Sequence, residues 1–162
     1  MSKFVSLKDL SFFDNGSVDL PSSSTCLVTS TIDVSSVWLI DTLCGRIVSS
    51  GGPVILVTFS DRAGVHSKGL KRNGIDLAHV SKSMFSLMDL SRYLFRPAAN
   101  SFEHESLETL YKHVKASASI NNQPPIVILE GPDLLLGSGF FNWKDVSNFV
   151  FDIQQVYIHI YI

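Results

Sequence analysis

The segment CLVTSTIDVSSVWLIDTL, residues 26–43, has the order that surrounds a phosphate-binding loop: a short strand, a turn and the start of a helix. A working loop carries the pattern G-x-x-x-x-G-K-[ST], whose glycines admit the phosphates and whose lysine neutralises their charge. The turn, residues 28–37, contains neither glycine nor lysine, and Asp33 would repel a phosphate. Ser35 or Ser36 could supply the terminal hydroxyl, but serines near a helix start more often cap the helix. The sequence therefore predicts that this turn does not bind a nucleotide as a phosphate-binding loop does.

Glu130 is a second feature whose position suggests nucleotide chemistry, after the turn at residues 28–37. It ends the apolar run IVILE at residues 126–130. Nucleotide hydrolases place an acid that handles a metal ion after such a strand. The alternative is a buried strand that reaches the surface at a polar residue. Without a phosphate-binding loop Glu130 has nothing to activate, so we predict that it is not catalytic.

The remaining motifs give no support to catalysis or metal binding. The five histidines show no H-x-x-x-H or H-E-x-x-H spacing of the kind that holds zinc. There is no G-x-S-x-G turn, and Gly137-x-Gly139 lacks the third glycine of a dinucleotide-binding loop. We therefore predict no catalytic residue, no cofactor-binding residue and no metal ligand.

Lys68, Lys71 and Arg72 form the densest basic group, and their i, i+3, i+4 spacing places them on one face of a helix. A solvated helix face explains such a group, and a contact with RNA phosphates or an acidic partner is the sharper alternative. If these side chains touch RNA, replacing all three by alanine should weaken binding and reduce its salt dependence. They are the candidate RNA or partner contacts of the chain.

Strands and helices that could position these residues alternate along the chain. The expected strands are apolar runs bounded by turn residues: Thr25–Ser30, PVILVTF at 53–59, a weak edge segment Ile75–Val80, and Ile126–Leu129. The expected helices are one capped by Asp33 and ended by Gly51-Gly52, one from about Arg62 to Arg72 ended by Asn73-Gly74, SLMDLSRYLF at 86–95, residues 103–117, and one from about Asn142 with Trp143, Val146, Val150 and Ile153 on one side.

This alternation predicts an α/β fold with a mainly parallel sheet flanked by helices. Ligands of such folds bind at the carboxyl ends of the strands. That edge would carry Ser30–Ser36, Ser60-Asp61 and Glu130–Asp133. Residues 1–24 are expected to form an N-terminal arm, and residues 25–162 a single domain.

Composition narrows the class of protein further. A content of 45% hydrophobic and 17% charged residues excludes wholesale disorder, and the net charge of −2 gives no global attraction to nucleic acid or anionic lipid. Cys26 and Cys44 have no metal-ligand spacing, so we expect reduced core residues. With no leader and no apolar run near the roughly 20 residues that cross a bilayer, an intracellular, soluble protein is expected.

Three segments together carry a family likeness: CLVTS, then PVILVTFSDRAGVHSKGLKRNGIDL, then PPIVILEGPDLLL. The middle segment runs from a strand ending in Phe59-Ser60 through a helix with His66 to a leucine and a glycine, and the last combines Glu130 and Pro132 with a leucine triplet. On these residues the chain resembles the family of the sixth Elongator subunit, from about Phe4 to about Val150.

The resemblance implies a RecA-like pseudo-ATPase that forms a hetero-hexameric ring with two related RecA-like subunits, within the larger Elongator complex. It further implies that the assembled ring binds tRNA and supports modification of the wobble uridine, in the cytoplasm and also in the nucleus. Family members continue beyond this length, so the resemblance implies a sheet that is incomplete at its C-terminal end. The terminal VYIHIYI alternates like a strand but does not resemble the next strand of the family.

Two other functions stay open: an ATPase of the same fold with an unconventional phosphate site, and a protein-binding adaptor that does not contact RNA. The incomplete sheet also has a physical consequence. Ile126–Leu129 would lack a neighbour on one side, and an unpaired parallel strand invites association. The segment VYIHIYI adds a β-prone run without a charged residue. We therefore expect the chain expressed alone to be poorly soluble or oligomeric.

Overall fold

A computed structural model describes residues 25–27, 35–91, 107–118, 124–154 and 158–161 of the chain. They form an α/β fold with a parallel sheet flanked by helices, as the alternation predicts. The sheet has five strands in the order β1-β5-β4-β2-β3, and all of their pairings are parallel. The strands are β1 Thr25–Leu27, β2 Val54–Thr58, β3 Phe85–Asp89, β4 Ile126–Glu130 and β5 Ile158–Tyr161. The helices are α1 Val37–Ser49, α2 Ala63–Arg72, α3 Leu107–Ala118, α4 Asp133–Gly137 and α5 Trp143–Gln154. The predicted arm at residues 1–24 lies outside the described residues.

Helices cover both faces of the sheet, which is why β2 and β4 are almost continuously apolar. On one face Leu56 and Ile128 pack with α1 and α2. On the other face Val57 and Leu129 pack with α3, α4 and α5. Each strand therefore contributes alternate residues to two separate cores, and Cys44 is a buried free thiol in the first of them, as expected.

The position of β5 overturns the expectation that β4 lacks a neighbour. β5 pairs in parallel with β1 on one side and with β4 on the other. β4 therefore has β2 and β5 as its two neighbours. α5 is the crossover helix between β4 and β5, and β5 lies between β1 and β4. Residues 158–161 therefore form an inner strand of the sheet.

Two local predictions between α2 and α3 are wrong. The segment Ile75–Val80 forms turns instead of an edge strand, because the Asp76 carboxylate accepts a hydrogen bond from the backbone N–H of Ala78 at 3.1 Å. The edge strand is Phe85–Asp89, where a helix over 86–95 was predicted. Leu87 and Met88 are adjacent in the sequence and pack against opposite cores, as residues of a strand covered on both faces do. A short apolar run of this kind cannot be distinguished from part of a helix by its periodicity. Residues 92–106, including Pro97, lie outside the described residues.

Helix ends follow the sequence more closely than helix faces do. Gly51 (φ 84°) and Gly74 (φ 88°) adopt the left-handed conformation just after α1 and α2, as predicted. The N-cap residue of α1 is Ser36, so the predicted cap at Asp33 is wrong. Of the residues predicted to share one side of α5, Val146 and Ile153 are buried, whereas Trp143 at the first position of the helix is 72% exposed. The buried residues of that helix are Val146, Phe149 and Ile153.

Candidate functional site

The carboxyl ends of β2 and β4 bring together the polar residues that the parallel-sheet argument placed at this edge. Thr58 and Glu130 are register partners at the ends of the two strands. The Ser60 hydroxyl donates to Glu130 Oε2 at 2.7 Å, and the Thr58 hydroxyl donates to the same oxygen. The prediction that Ser60 and Glu130 share one edge is therefore confirmed.

A histidine and a second acid complete this cluster from the helices above it. His66 of α2 places Nδ1 2.7 Å from Asp41 Oδ1 of α1, and Nε2 3.3 Å from Glu130 Oε2. The second contact has an ion-pair distance but not hydrogen-bond geometry, so Nε2 has no hydrogen-bond partner in the described part of the chain. All three side chains are at most 3% exposed. We call Asp41, His66 and Glu130 the buried triad.

The charges of the triad favour an imidazolium between two carboxylates. Burial lowers the pKa of His66, but the hydrogen bond to Asp41 and the nearby carboxylates of Asp41 and Glu130 outweigh burial and raise it to about 9. Burial alone would raise the pKa of Glu130, yet His66, Thr58 and Ser60 together hold it below its usual value. Arg62, with Nη1 3.7 Å from Glu130 Oε1, adds a partly exposed cation. Near neutral pH His66 is therefore protonated and Glu130 ionised, and the two form a buried ion pair with Arg62 beside it.

These pKa shifts predict how stability depends on pH. The pKa of His66 rises from 6.5 to about 9 on folding, so its stabilisation is complete below pH 6.5 and is lost as pH rises through 9. The pKa of Glu130 falls on folding, so its contribution is complete above 4.5 and is lost at lower pH. We expect greatest stability between these limits. Urea unfolding from pH 4 to 10 measures it, and Asp41→Asn should move the alkaline loss to lower pH; an unchanged profile would contradict the assignment.

Close packing of α1 against α2 sets the distance between Asp41 and His66. A Cβ on Gly69 would overlap Asp41 Oδ2, so any side chain there must displace the acid. A Cβ on a second glycine, Gly45 of α1, would lie 2.8 Å from Asn73, the C-cap residue of α2. The two glycines allow the close approach that puts an α1 carboxylate against an α2 histidine.

Gly69→Ala is expected to destabilise the protein although it adds a better helix former. Alanine in a helix interior normally gains up to about 1 kcal/mol over glycine. Here the new methyl group would push Asp41 away from His66, a loss that we expect to exceed the gain by about 1–3 kcal/mol. Gly64→Ala in the same helix is the matched control, because nothing lies within 4 Å of its Cβ. Equal stabilisation of both variants in urea unfolding would contradict the argument.

The other predicted residues lie apart from the triad. Lys68, Lys71 and Arg72 are exposed on α2, and Lys71 Nζ lies 3.0 Å from Asp76 Oδ2. Because α2 runs back from the carboxyl edge, Lys71 and Arg72 at its end lie toward the opposite edge. Their role as RNA or partner contacts stays a prediction.

The turn that would hold a phosphate is described only at its end, since residues 28–34 lie outside the described residues. Ser35 Oγ accepts a hydrogen bond from the Val37 N–H at 3.4 Å. Ser36 occupies the N-cap position without a side-chain capping bond. The described serines of the turn thus serve the start of α1.

Sequence analysis missed Asp41 and the pairing role of His66. A signal was present, because Asp41 lies four residues after Val37 in the apolar stripe of α1, and His66 lies four residues before buried Leu70 in α2. A charged or polar residue on a buried helix face requires a partner. The sequence could not show that the two partners would be each other and Glu130.

The chain shows no similarity to a known family that would assign the site a function. No protein-family model matches the chain, and no curated protein matches it. Within the described ranges, no group of three or more His, Cys, Asp or Glu side chains is arranged to hold a metal ion. None of the helices in those ranges has the length and apolar character needed to cross a bilayer.

Proposed function

We propose that the chain is a non-catalytic, RecA-like subunit of an Elongator-type ring, in which it supports tRNA binding and wobble-uridine modification. The proposal combines the family resemblance of the sequence with the parallel, helix-flanked sheet and with the chemical state of Glu130. The carrying observation is that Glu130, the acid at the position expected to serve nucleotide chemistry, is engaged by protein groups.

Glu130 has little capacity left for a metal ion or a water molecule. Its Oε2 receives the hydroxyls of Thr58 and Ser60 and faces His66, while Oε1 faces Arg62. The side chain is 3% exposed, and its lowered pKa makes it a weak base. A general base must reach its proton within hydrogen-bond distance and have a pKa near the working pH. Glu130 is therefore suited to holding the α2 helix on the sheet.

The strand order separates this acid from the degenerate turn. β5 lies between β1 and β4, so the end of β1 and Glu130 are two strand spacings apart, about 10 Å. A nucleotide bound after β1 would find neither glycine nor lysine in residues 28–37 to hold its phosphates. We propose that the turn at residues 28–37 is a structural relic of a nucleotide site and that it can serve as an interface with another subunit.

The isolated protein is expected not to bind or hydrolyse ATP appreciably. Isothermal titration calorimetry with ATP and Mg²⁺ should give no heat of binding at micromolar protein concentration. Adding a lysine to the turn should not create binding, because the backbone would still lack the freedom of glycine. Magnesium-dependent, micromolar ATP binding would favour the alternative of an unconventional ATPase.

Membership of the ring is tested by purification of the tagged chain from cells. A ring subunit should bring two related RecA-like subunits with it, together with other Elongator subunits. tRNA binding should belong to the assembled complex, since one domain with a net charge of −2 and three clustered cations offers few phosphate contacts. Co-purification of protein partners without tRNA binding would favour the adaptor alternative.

A further inference from the structure

A groove between α3 and α5, on the face of the sheet opposite the triad, has the chemistry of a binding surface that the proposed function does not use. Its volume is about 340 Å³, within the range of roughly 300–1,000 Å³ that ligand pockets occupy. Leu107 and Tyr111 of α3, with Phe141 and Phe149, form its apolar floor. Leu107 and Phe149 are buried in the core, and Tyr111 and Phe141 are half-buried against it, so the floor is firmly held.

Carboxylates stand on both walls of this apolar floor. Glu108 lies on the α3 wall, and Asp145 and Asp152 lie on the α5 wall. All three are exposed, and none of the described residues that line the groove is a lysine or an arginine. Two cations of α3 contact groove residues: Lys112 pairs with Glu108 at 2.8 Å, and Lys115 lies 5.8 Å from the centre of the Tyr111 ring. Lys144 of α5 is exposed and precedes Asp145 in the chain. The Glu108 pair is exposed and therefore weak enough to exchange.

We propose that this groove binds a basic, partly apolar segment of a partner protein. Apolar side chains of the segment would cover the floor, and flanking Arg or Lys side chains would meet carboxylates on both walls. The half-buried Tyr111 ring offers a face that attracts cations, as the approach of Lys115 shows. The same carboxylates would repel nucleic acid, so this surface is distinct from any tRNA contact of the assembly.

The test is a selection of random displayed peptides against the full chain, followed by affinity measurement. Enriched peptides should combine Arg or Lys with leucine or aromatic residues, and their affinity should fall as salt is raised. The double variant Glu108→Gln/Asp152→Asn should weaken such a peptide by about tenfold. Asp61→Asn/Asp133→Asn, which removes two exposed charges outside the groove, should change its affinity less than about twofold.

Three outcomes would overturn the proposal: enrichment of peptides without basic residues, equal weakening by both double variants, or no enrichment at all. All substituted residues are exposed, so the fold should persist in each variant, and circular dichroism checks this directly. The result is independent of Elongator membership, which is tested by co-purification alone. If basic peptides are enriched but co-purification fails, the proposal that the groove binds a basic segment would stand and the proposal of ring membership would be refuted.

Discussion

Replacing His66 by leucine is expected to lower the free energy of unfolding by about 3–5 kcal/mol. The side chain is fully buried between Asp41 and Glu130, so its removal leaves two carboxylates of like charge in the protein interior without their shared cation. Thr58 and Ser60 can still donate to Glu130, but Asp41 loses the only hydrogen-bond partner found for its side chain among the described residues. Urea unfolding at pH 6, where the triad contributes fully, measures the loss.

Two further variants distinguish the triad from an ordinary surface pair. Lys112→Ala removes the exposed pair with Glu108 and should cost at most about 0.5 kcal/mol. Asp41→Asn/His66→Leu/Glu130→Gln removes all three charges and should recover part of the loss, because burying an unpaired charge costs more than burying a neutral group. A cost below about 1 kcal/mol for His66→Leu alone would show that water reaches the two acids.

Removing residues 155–162 is expected to abolish the cooperative native state. β5 is an inner strand, and β1 has no other neighbour in the described part of the sheet. Deletion therefore leaves β1 unpaired and turns β4 into an edge with open N–H and C=O groups. Thermal unfolding followed by circular dichroism should lose its sharp transition, and light scattering should detect association.

A pair of substitutions tests the same strand without shortening the chain. Ile160 is the register partner of Cys26 on one side and Ile128 on the other. Ile160→Pro removes a backbone donor within an inner strand and should reproduce much of the deletion. Ile160→Val keeps the strand and should cost less than about 1.5 kcal/mol. A stable monomer after the deletion would mean that β1 and β4 do not depend on β5.

The pairing of β5 with β4 also changes the reason for expecting the intact chain to associate. The prediction of poor solubility had two grounds. The first, that Ile126–Leu129 lacked a neighbour, is wrong. The second, the uncharged and β-prone segment VYIHIYI, is a property of the sequence and still stands. Light scattering of the full chain still tests the prediction. Dilution-insensitive monomers would agree with the pairing of β5, whereas oligomers would require a surface other than the edge of β4.

Features that depend on neighbouring residues could be predicted from the sequence. Gly51 and Gly74 mark the helix ends because few other residues tolerate a positive φ. The apolar runs at β2 and β4 predict strands covered on both faces, and their alternation with helices predicts the parallel sheet. The absence of glycine and lysine from residues 28–37 is visible in the same way and needs no structure. Short runs such as that of β3 failed because their apolar pattern fits both periods.

The tertiary structure alone decided the strand order and the buried triad. No local pattern could place the strand β5 between β1 and β4, because that choice depends on contacts between elements far apart in the sequence. Likewise, Asp41, His66 and Glu130 come from three separate elements, and their pairing depends on the close approach of α1 and α2 at Gly69 and on the register of β2 with β4. The sequence by itself determines which polar residues must be buried, whereas long-range packing determines which charges then meet.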